Sequence, residues 1–240
     1  MNITSNKAEL TSKRQLKKCS RQIDWREVRV GFVRPVTNKE QRIYVARMDK
    51  YPPVVGQLKS AAYLIGMTSS SQVYAVADGG NGLRSALESE FPKLIFILDR
   101  AHLKQHIYQG ADCLGLTGFH RKLWVEHILN LIEQNQVKRA IKFIKRYCQP
   151  DKKTQVLDNL CNYLERFKDA CKYRIFRYIG LPIGSGEIES AHRYIPQKRL
   201  KIPGATWHPN TINPMLALRV IRANNWWEDF WSQQASKNSY

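Results

Sequence analysis

Acidic residues are scarce in this 240-residue sequence. It contains 20 Asp and Glu against 39 Lys and Arg, which leaves a formal net charge of +19 at pH 7. A charge of this size says nothing about the fold, but it favours a polyanionic partner. Nucleic acid is the first candidate and an anionic membrane surface the second. A basic protein that uses its charge only for solubility is the plain alternative.

Long apolar runs are also missing. No stretch reaches the roughly 18 apolar residues that a membrane span requires, and the polar, basic N-terminus lacks the apolar core of a signal peptide. The five cysteines are scattered, with no Cys-x-x-Cys pair, which argues against a disulfide framework and against a zinc knuckle. Because 43% of the residues are hydrophobic, the chain can still build a core. We expect a folded protein in the reducing cytoplasm that does not enter a membrane.

The first half of the chain alternates between strand and helix patterns. Residues 1–24 are predicted to be a basic, disordered lead-in. Residues 28–33 alternate as a half-buried strand does, and with 43–46 they predict a hairpin. A helix follows Pro52 and Pro53 and closes at Gly66. Two more strands, 73–77 and 94–98, flank a helix that stops at Pro92, so we predict helices around a mixed sheet.

The second half is helical by the same criteria. From Ala101 to about Tyr178 apolar residues recur at helical spacing and strand patterns vanish, which predicts an all-helical insertion. Another helical block begins at Gly186. Near the C-terminus, helical spacing of the aromatic residues indicates packing rather than a ligand site; they are Trp226, Trp227, Phe230 and Trp231.

Two aspartates stand at predicted strand ends. Asp78 opens a Gly-rich turn at the end of its strand, where ligands bind in open α/β sheets; an ordinary turn aspartate explains it slightly better. Asp99 ends the next strand, with His102 and His106 on the same face of the helix that follows. These three could form a metal constellation or a carboxylate oriented by an imidazole. A helix N-cap accounts for Asp99 equally fully.

The third candidate lies in the segment Gly184-Ser185-Gly186-Glu187-Ile188-Glu189. If Ser185 is the N-cap, Glu187 has the plain role of favourable interaction with the helix dipole. Residues two apart do not share a helix face, so both glutamates cannot point into one site. We therefore predict that Glu189 is the functional residue.

A basic run follows this glutamate, with an aromatic residue after it. Such a run can track phosphates while the ring stacks on bases, although a solvated charged face explains any single residue. The residues predicted to bind DNA are Arg193, Lys198, Arg199 and Lys201.

Together, these segments resemble the bacterial insertion-sequence DDE transposases related to the Mutator group. The resemblance covers roughly residues 25 to 232 and rests on an ordered set of motifs: Ala77-Asp78-Gly79, Phe91-Pro92, Ile97-Leu98-Asp99-x-x-His102 and Gly184-Ser185-Gly186-x-x-Glu189-Ser190. Each motif is weak alone, whereas the ordered set with its spacing is strong.

The resemblance implies an α/β, ribonuclease H-like mixed sheet with an all-helical insertion between the second Asp and the Glu. It makes Asp78 and Glu189 catalytic metal ligands and gives Asp99 and His102 a supporting role. Hard carboxylate oxygens suit Mg²⁺ or Mn²⁺, and a two-metal site supports phosphoryl transfer on DNA. Transposon ends and target DNA are the implied partners, a homo-oligomer the implied active form, and a nucleoid-associated cytoplasmic protein the implied location.

One departure from the family limits these expectations. In the family, the first catalytic aspartate lies on a strand that comes before the one predicted here to begin at residue 28. Neither Asp24 nor Asp49 occupies the matching place. We therefore expect an N-terminally truncated fragment, whose autonomous activity is doubtful and whose metal binding is weak. The predicted core comprises residues 25–102 and 183–232 and lacks its first strand. Residues 103–182 are predicted to form the helical insertion, and residues 233–240 are predicted to be a tail. The alternatives are a non-catalytic DNA-binding module derived from a transposase and another metal-dependent nuclease of the ribonuclease H-like class.

Overall fold

A computed structural model describes residues 2–5, 22–148 and 154–237. The strands are β1 (Asn2–Ser5), β2 (Gln22–Trp25), β3 (Arg29–Val33), β4 (Ile43–Arg47), β5 (Tyr74–Ala77) and β6 (Ile95–Leu98). The helices before Gly186 are α1 (Tyr51–Leu64), α2 (Leu83–Glu90), α3 (Arg100–Cys113), α4 (Gly118–Glu133), α5 (Val137–Lys145), α6 (Thr154–Arg166) and α7 (Tyr173–Tyr178). Then come α8 (Gly186–His192), a π-helical turn (Arg193–Gln197), α9 (Lys198–Leu200), α10 (Pro209–Ala223) and α11 (Trp227–Lys237).

The described residues divide into two compact units. The first unit joins those up to Ser71 with those from Gly186 onward, and the second runs from Gln72 to Ser185. This division differs from the predicted one, which grouped residues 25–102 with 183–232. In the structure β5, α2 and β6 cluster with the helices that follow them. For example, Phe96 of β6 stacks on Phe167, which comes directly after α6, with ring centroids 5.8 Å apart.

The first unit is built on the antiparallel hairpin of β3 and β4, in which Val30 is paired with Ala46. Successive residues of a strand point to opposite faces, and β4 uses both. Val45 packs with Val54 and Ala61 of α1. Ala46, next along the strand, packs with residues of the C-terminal helices, among them Ile195 and Leu216. The predicted hairpin and the helix after it are thereby confirmed.

The prediction of a disordered lead-in at residues 1–24 needs a correction at both ends of that segment. Residues 2–5 and 22–25 form an antiparallel pair, β1 and β2, with Ile3 opposite Asp24 and Thr4 opposite Ile23, where a disordered lead-in was predicted. β-Branched residues favour such a ladder. The rest of the predicted lead-in, residues 6–21, lies outside the described residues.

The C-terminal aromatic residues also depart from the prediction. Helix α11 contains no buried residue, and Trp226 and Trp231 are 38% and 46% exposed. Trp227 and Phe230 instead make ring contacts with Trp231, at centroid distances of 5.6 and 5.1 Å. The interpretation of these residues as core packing is therefore wrong. The helix also extends to Lys237, into the predicted tail 233–240, of which residues 238–240 lie outside the described residues.

The second unit surrounds the parallel pair of β5 and β6, in which Ala77 is opposite Leu98. Phe96, Ile97 and Leu98 are all buried, as the unbroken apolar run predicts for a strand covered on both faces. The backbone N–H of Leu98 donates to the carbonyl of Ala170 at 3.1 Å. The helical segment thus packs directly against the end of β6.

The mixed α/β class is confirmed, since the described elements include both strands and helices, which alternate from β4 to α3. The described strands form three separate two-stranded sheets, with the hairpin and the parallel pair in different units. A single ribonuclease H-like sheet that contains both therefore stays a prediction. Across the described ranges, no helix combines the length and apolar character needed to cross a membrane.

Candidate functional site

Asp78 lies in the second unit, directly after β5, with its side chain exposed. Its Oδ1 accepts a hydrogen bond from the backbone N–H of Gly80 at 3.0 Å. The hydroxyl of Tyr163 donates to the Asp78 carbonyl oxygen at 2.8 Å. These bonds form the turn and hold the backbone, while Oδ2 has no hydrogen-bonding partner in the part of the chain that the structure describes. One carboxylate oxygen is therefore free to bind a ligand.

Helix α6 fixes the loop that carries Asp78. The guanidinium of Arg166 donates to Oδ1 of Asn81 at 2.8 Å and to the carbonyl oxygen of Gly79 at 3.1 Å. The same guanidinium lies 4.5 Å from the centre of the Phe167 ring. A cation thus stands beside the aspartate, where it also favours the approach of an anionic substrate. Neither Tyr163 nor Arg166 was identified from the sequence, because about 85 residues separate them from this loop.

Asp99 is a structural residue in the described geometry. It is only 3% exposed, and its Oδ1 caps α3 by accepting from the backbone N–H of His102 at 2.8 Å. Its Oδ2 accepts from the backbone N–H of Ser185 at 2.6 Å and from the Ser185 hydroxyl. Both oxygens are engaged, so the capping explanation of Asp99 agrees with the contacts. The bond to Ser185 ties the end of the helical segment to the end of β6.

His102 and His106 begin a series of ring contacts. Their centroids are 5.3 Å apart, and His106 lies 4.7 Å from the ring of Tyr163. Burial, together with the neighbouring His102, lowers the pKa of His106 below its usual value of 6.5. Burial also disfavours the charged form of Tyr163, which raises the pKa of this residue. A neutral His106 and a neutral Tyr163 therefore line the side of the Asp78 loop at neutral pH.

The two glutamates of α8 in the first unit have different surroundings. Glu187 is half-buried and forms ion pairs with Arg34 at 3.1 Å and with Arg42 at 3.4 Å. Glu189 is exposed and has no ion-pair or hydrogen-bonding partner among the residues the structure describes. The two glutamates thus differ in their surroundings, and the functional role of Glu189 stays a prediction.

The predicted DNA-binding residues are all exposed: Arg193, Lys198, Arg199 and Lys201. Two aromatic rings accompany them. The ring of Tyr194, 41% exposed, has Lys198 Nζ at 5.5 Å and Arg219 Cζ at 5.1 Å. Arg199 Cζ lies 5.6 Å from the ring of Trp207. Tyr194 and Arg219 were missed in the sequence, although an aromatic residue inside a basic run is a signal that could have identified Tyr194.

The predicted site residues belong to both units. Asp78, Asp99 and His102 are in the second, whereas Glu189 and the basic residues are in the first. Within the described ranges, no group of three or more His, Cys, Asp or Glu side chains is placed to hold a metal ion. Comparisons of the chain with protein-family models, with curated proteins and with solved structures find no match.

Proposed function

We propose that this protein binds DNA and derives from a DDE transposase with a ribonuclease H-like core. In this proposal Asp78 and Glu189 hold Mg²⁺ or Mn²⁺ during strand cleavage and transfer. The proposal rests on the resemblance of the ordered motifs and on the surroundings of the acidic residues at those motifs.

The proposal rests on a contrast in the accessibility of four carboxylates: Asp99 differs from Asp78, and Glu187 differs from Glu189. Asp99 has both carboxylate oxygens occupied, and Glu187 is paired with two arginines. Asp78 and Glu189, in contrast, are exposed. A divalent cation needs carboxylates whose oxygens are not already neutralised or buried. Of these four acids, the two that the family motifs assign as metal ligands are also the two whose carboxylates are exposed.

Both carboxylates fit a hard divalent cation, since Mg²⁺ and Mn²⁺ take oxygen ligands. Such ions, when bound, activate the attacking oxygen and stabilise the leaving oxygen in phosphoryl transfer. The chain's own contribution is to orient Asp78 through its turn and to place Arg166 beside it. The exposed cations next to Glu189 would hold the phosphate backbone.

A non-catalytic DNA-binding module derived from a transposase is the second candidate. It is favoured by the exposed cations that follow Glu189, which can contact phosphates without a metal ion; they are Arg193, Lys198, Arg199 and Lys201. In this case the exposed cations perform the whole function, and Asp78 and Glu189 are dispensable.

The two candidates are separated by measuring binding and cleavage side by side. Binding of duplex DNA is followed by fluorescence anisotropy from low to high salt, and nicking of a supercoiled plasmid that carries the flanking DNA of the gene is followed with Mg²⁺ or Mn²⁺. The variants are Asp78→Asn and Glu189→Gln. Glu228→Gln is the matched control, because Glu228 is an exposed acid in the first turn of α11.

We expect binding that weakens steeply with salt, as the release of counterions requires. Nicking that both site variants abolish and the control retains supports the catalytic proposal. Binding without nicking under any metal condition supports the module instead. If the protein fails to bind DNA even at low ionic strength, neither candidate survives.

A further inference from the structure

Two adjoining recesses lie on the surface of the second unit. One has a volume of about 470 Å³ and the other about 570 Å³, and Asn135 lines both, so the two recesses adjoin at this residue. Together we call them the basic groove, after its six cationic residues: Lys138, Arg139, Lys168, Lys172, Arg174 and Arg177. It contains none of the residues that the sequence predicted to bind DNA.

The groove carries a positive charge that the protein itself neutralises only in part. Among the residues that the structure describes, no acidic side chain lines it. Lys168 is paired with Glu165 at 2.5 Å and Arg177 with Glu133 at 2.7 Å. The other four cations form no ion pair within the described part of the chain. Like charges held on a concave surface repel one another and focus the potential there, which favours an anionic ligand.

Two segments of the chain, residues 138–139 and 168–177, supply these cations. Lys138 and Arg139 lie in the first turn of α5, Lys168 and Lys172 lie between α6 and α7, and Arg174 and Arg177 lie on α7. The chain enters α5 through Asn135, which has a left-handed backbone with φ of +58°. Tyr178, at the edge of the groove, is 90% exposed. The groove is therefore extended and bordered by a ring that can contact a sugar or base.

We propose that the basic groove binds the sugar–phosphate backbone of duplex DNA. This inference rests on the proposed DNA-binding function and adds a second contact surface, on the helical segment, that works independently of Asp78 and Glu189. A row of phosphates is a narrow, convex ridge and can enter a concave groove. A lipid headgroup surface is broad and nearly flat, so it would reach only the rim. Because the contacts are to phosphates, binding at this surface is independent of base sequence.

The test compares two triple variants of the full chain, each with three fewer positive charges. The groove variant is Lys138→Gln, Lys172→Gln, Arg174→Gln. The control variant is Lys93→Gln, Lys104→Gln, Lys122→Gln, which neutralises exposed cations elsewhere in the same unit. Duplex binding is measured for both from about 50 to about 300 mM salt. We expect the groove variant to bind about 10- to 100-fold more weakly at low salt, with a salt slope shallower by about three, and the control to change less than about threefold.

A local readout does not depend on affinity. Tyr178 and, as a control, Phe119, which is 68% exposed in the same unit, are each replaced by photoreactive benzoylphenylalanine. Crosslinking of duplex DNA from position 178 and not from position 119 supports the groove. Equal loss of affinity in both triple variants, with no crosslink at position 178, overturns the groove and leaves the proposed function standing. Binding of anionic vesicles in place of DNA by the groove would also overturn the inference. If the Asp78→Asn variant loses nicking but keeps its affinity for duplex DNA, this result supports a groove that works independently of Asp78.

Discussion

Phe167 covers Gly79 so closely that a Cβ atom on this glycine would lie 2.8 Å from the aromatic ring. Gly79 also has a left-handed backbone with φ of +78°, which only glycine adopts without strain. The residue after Asp78 is therefore required to be glycine by the packing of α6 against the loop. The Asp-Gly pair, which could be read as a common turn, is held in place by a tertiary contact.

Gly79→Ala should lower the free energy of unfolding by about 2–4 kcal/mol, since it adds backbone strain and a steric overlap. Gly56→Ala is the control. Gly56 lies within α1, and a Cβ atom added there would meet nothing within 4 Å, so this change should stabilise the protein by about 0.5–1 kcal/mol. Thermal and urea unfolding followed by circular dichroism measure both. Equal stability of the two variants would contradict the packing argument.

Asp99 and Asp78 should respond differently to the same substitution. Asp99→Ala removes the cap of α3 and leaves the buried donors of Ser185 without an acceptor, so we expect a loss of about 2–4 kcal/mol. Asp78→Ala removes an exposed turn contact and should cost less than about 1 kcal/mol. Urea denaturation gives both values. A stable Asp99→Ala protein that has lost only nicking would instead assign Asp99 to the reaction.

His106 should make the stability depend on pH. Its pKa is lowered in the folded protein, chiefly by burial and then by His102. The unfolded chain therefore binds the proton more strongly, and the contribution to stability is present above 6.5 and is lost as the pH falls through the folded pKa. Unfolding measured between about pH 5 and pH 8 should show this decline, and His106→Gln should reduce it. The His120→Gln control keeps His106 and should keep the decline; if it removes as much, the origin lies elsewhere.

Tyr194 should contribute to the binding of unpaired DNA. The centre of its exposed ring lies 5.5 Å from Lys198 Nζ and 5.1 Å from Arg219 Cζ, and cations this close can hold the phosphate of a base that contacts the ring. Tyr194→Ala should weaken binding of a single-stranded oligonucleotide about tenfold, and Tyr194→Phe should retain it. Tyr63→Ala, at an exposed tyrosine of α1, is the control for loss of a surface ring. Equal effects of Tyr194→Ala and Tyr63→Ala would exclude stacking at Tyr194.

From residue 28 to about residue 178, local patterns in the sequence were sufficient for the order of strands and helices, whereas the strand pair β1 and β2 was missed. These patterns are the alternation before Pro35, the apolar run before Asp99 and the helical spacing after Ala101. Each of them depends only on residues that are close together in the sequence. Their periods of two and about 3.6 are properties of strand and helix geometry. The different surroundings of Glu187 and Glu189 followed in the same way, because residues two positions apart on a helix do not share a face.

Contacts between distant segments were decided only by the tertiary structure. The capping of α3 by Asp99 could be proposed from the sequence, but its second bond, to Ser185, crosses 86 residues. The exposure of the α11 aromatic residues depends on what covers that helix, which helical spacing does not encode. The basic groove is assembled from cations on residues 138–139 and 168–177, two segments that no local pattern links to each other. The sequence by itself determines side-chain chemistry and local periodicity. Which remote surfaces come into contact depends on how the whole core packs.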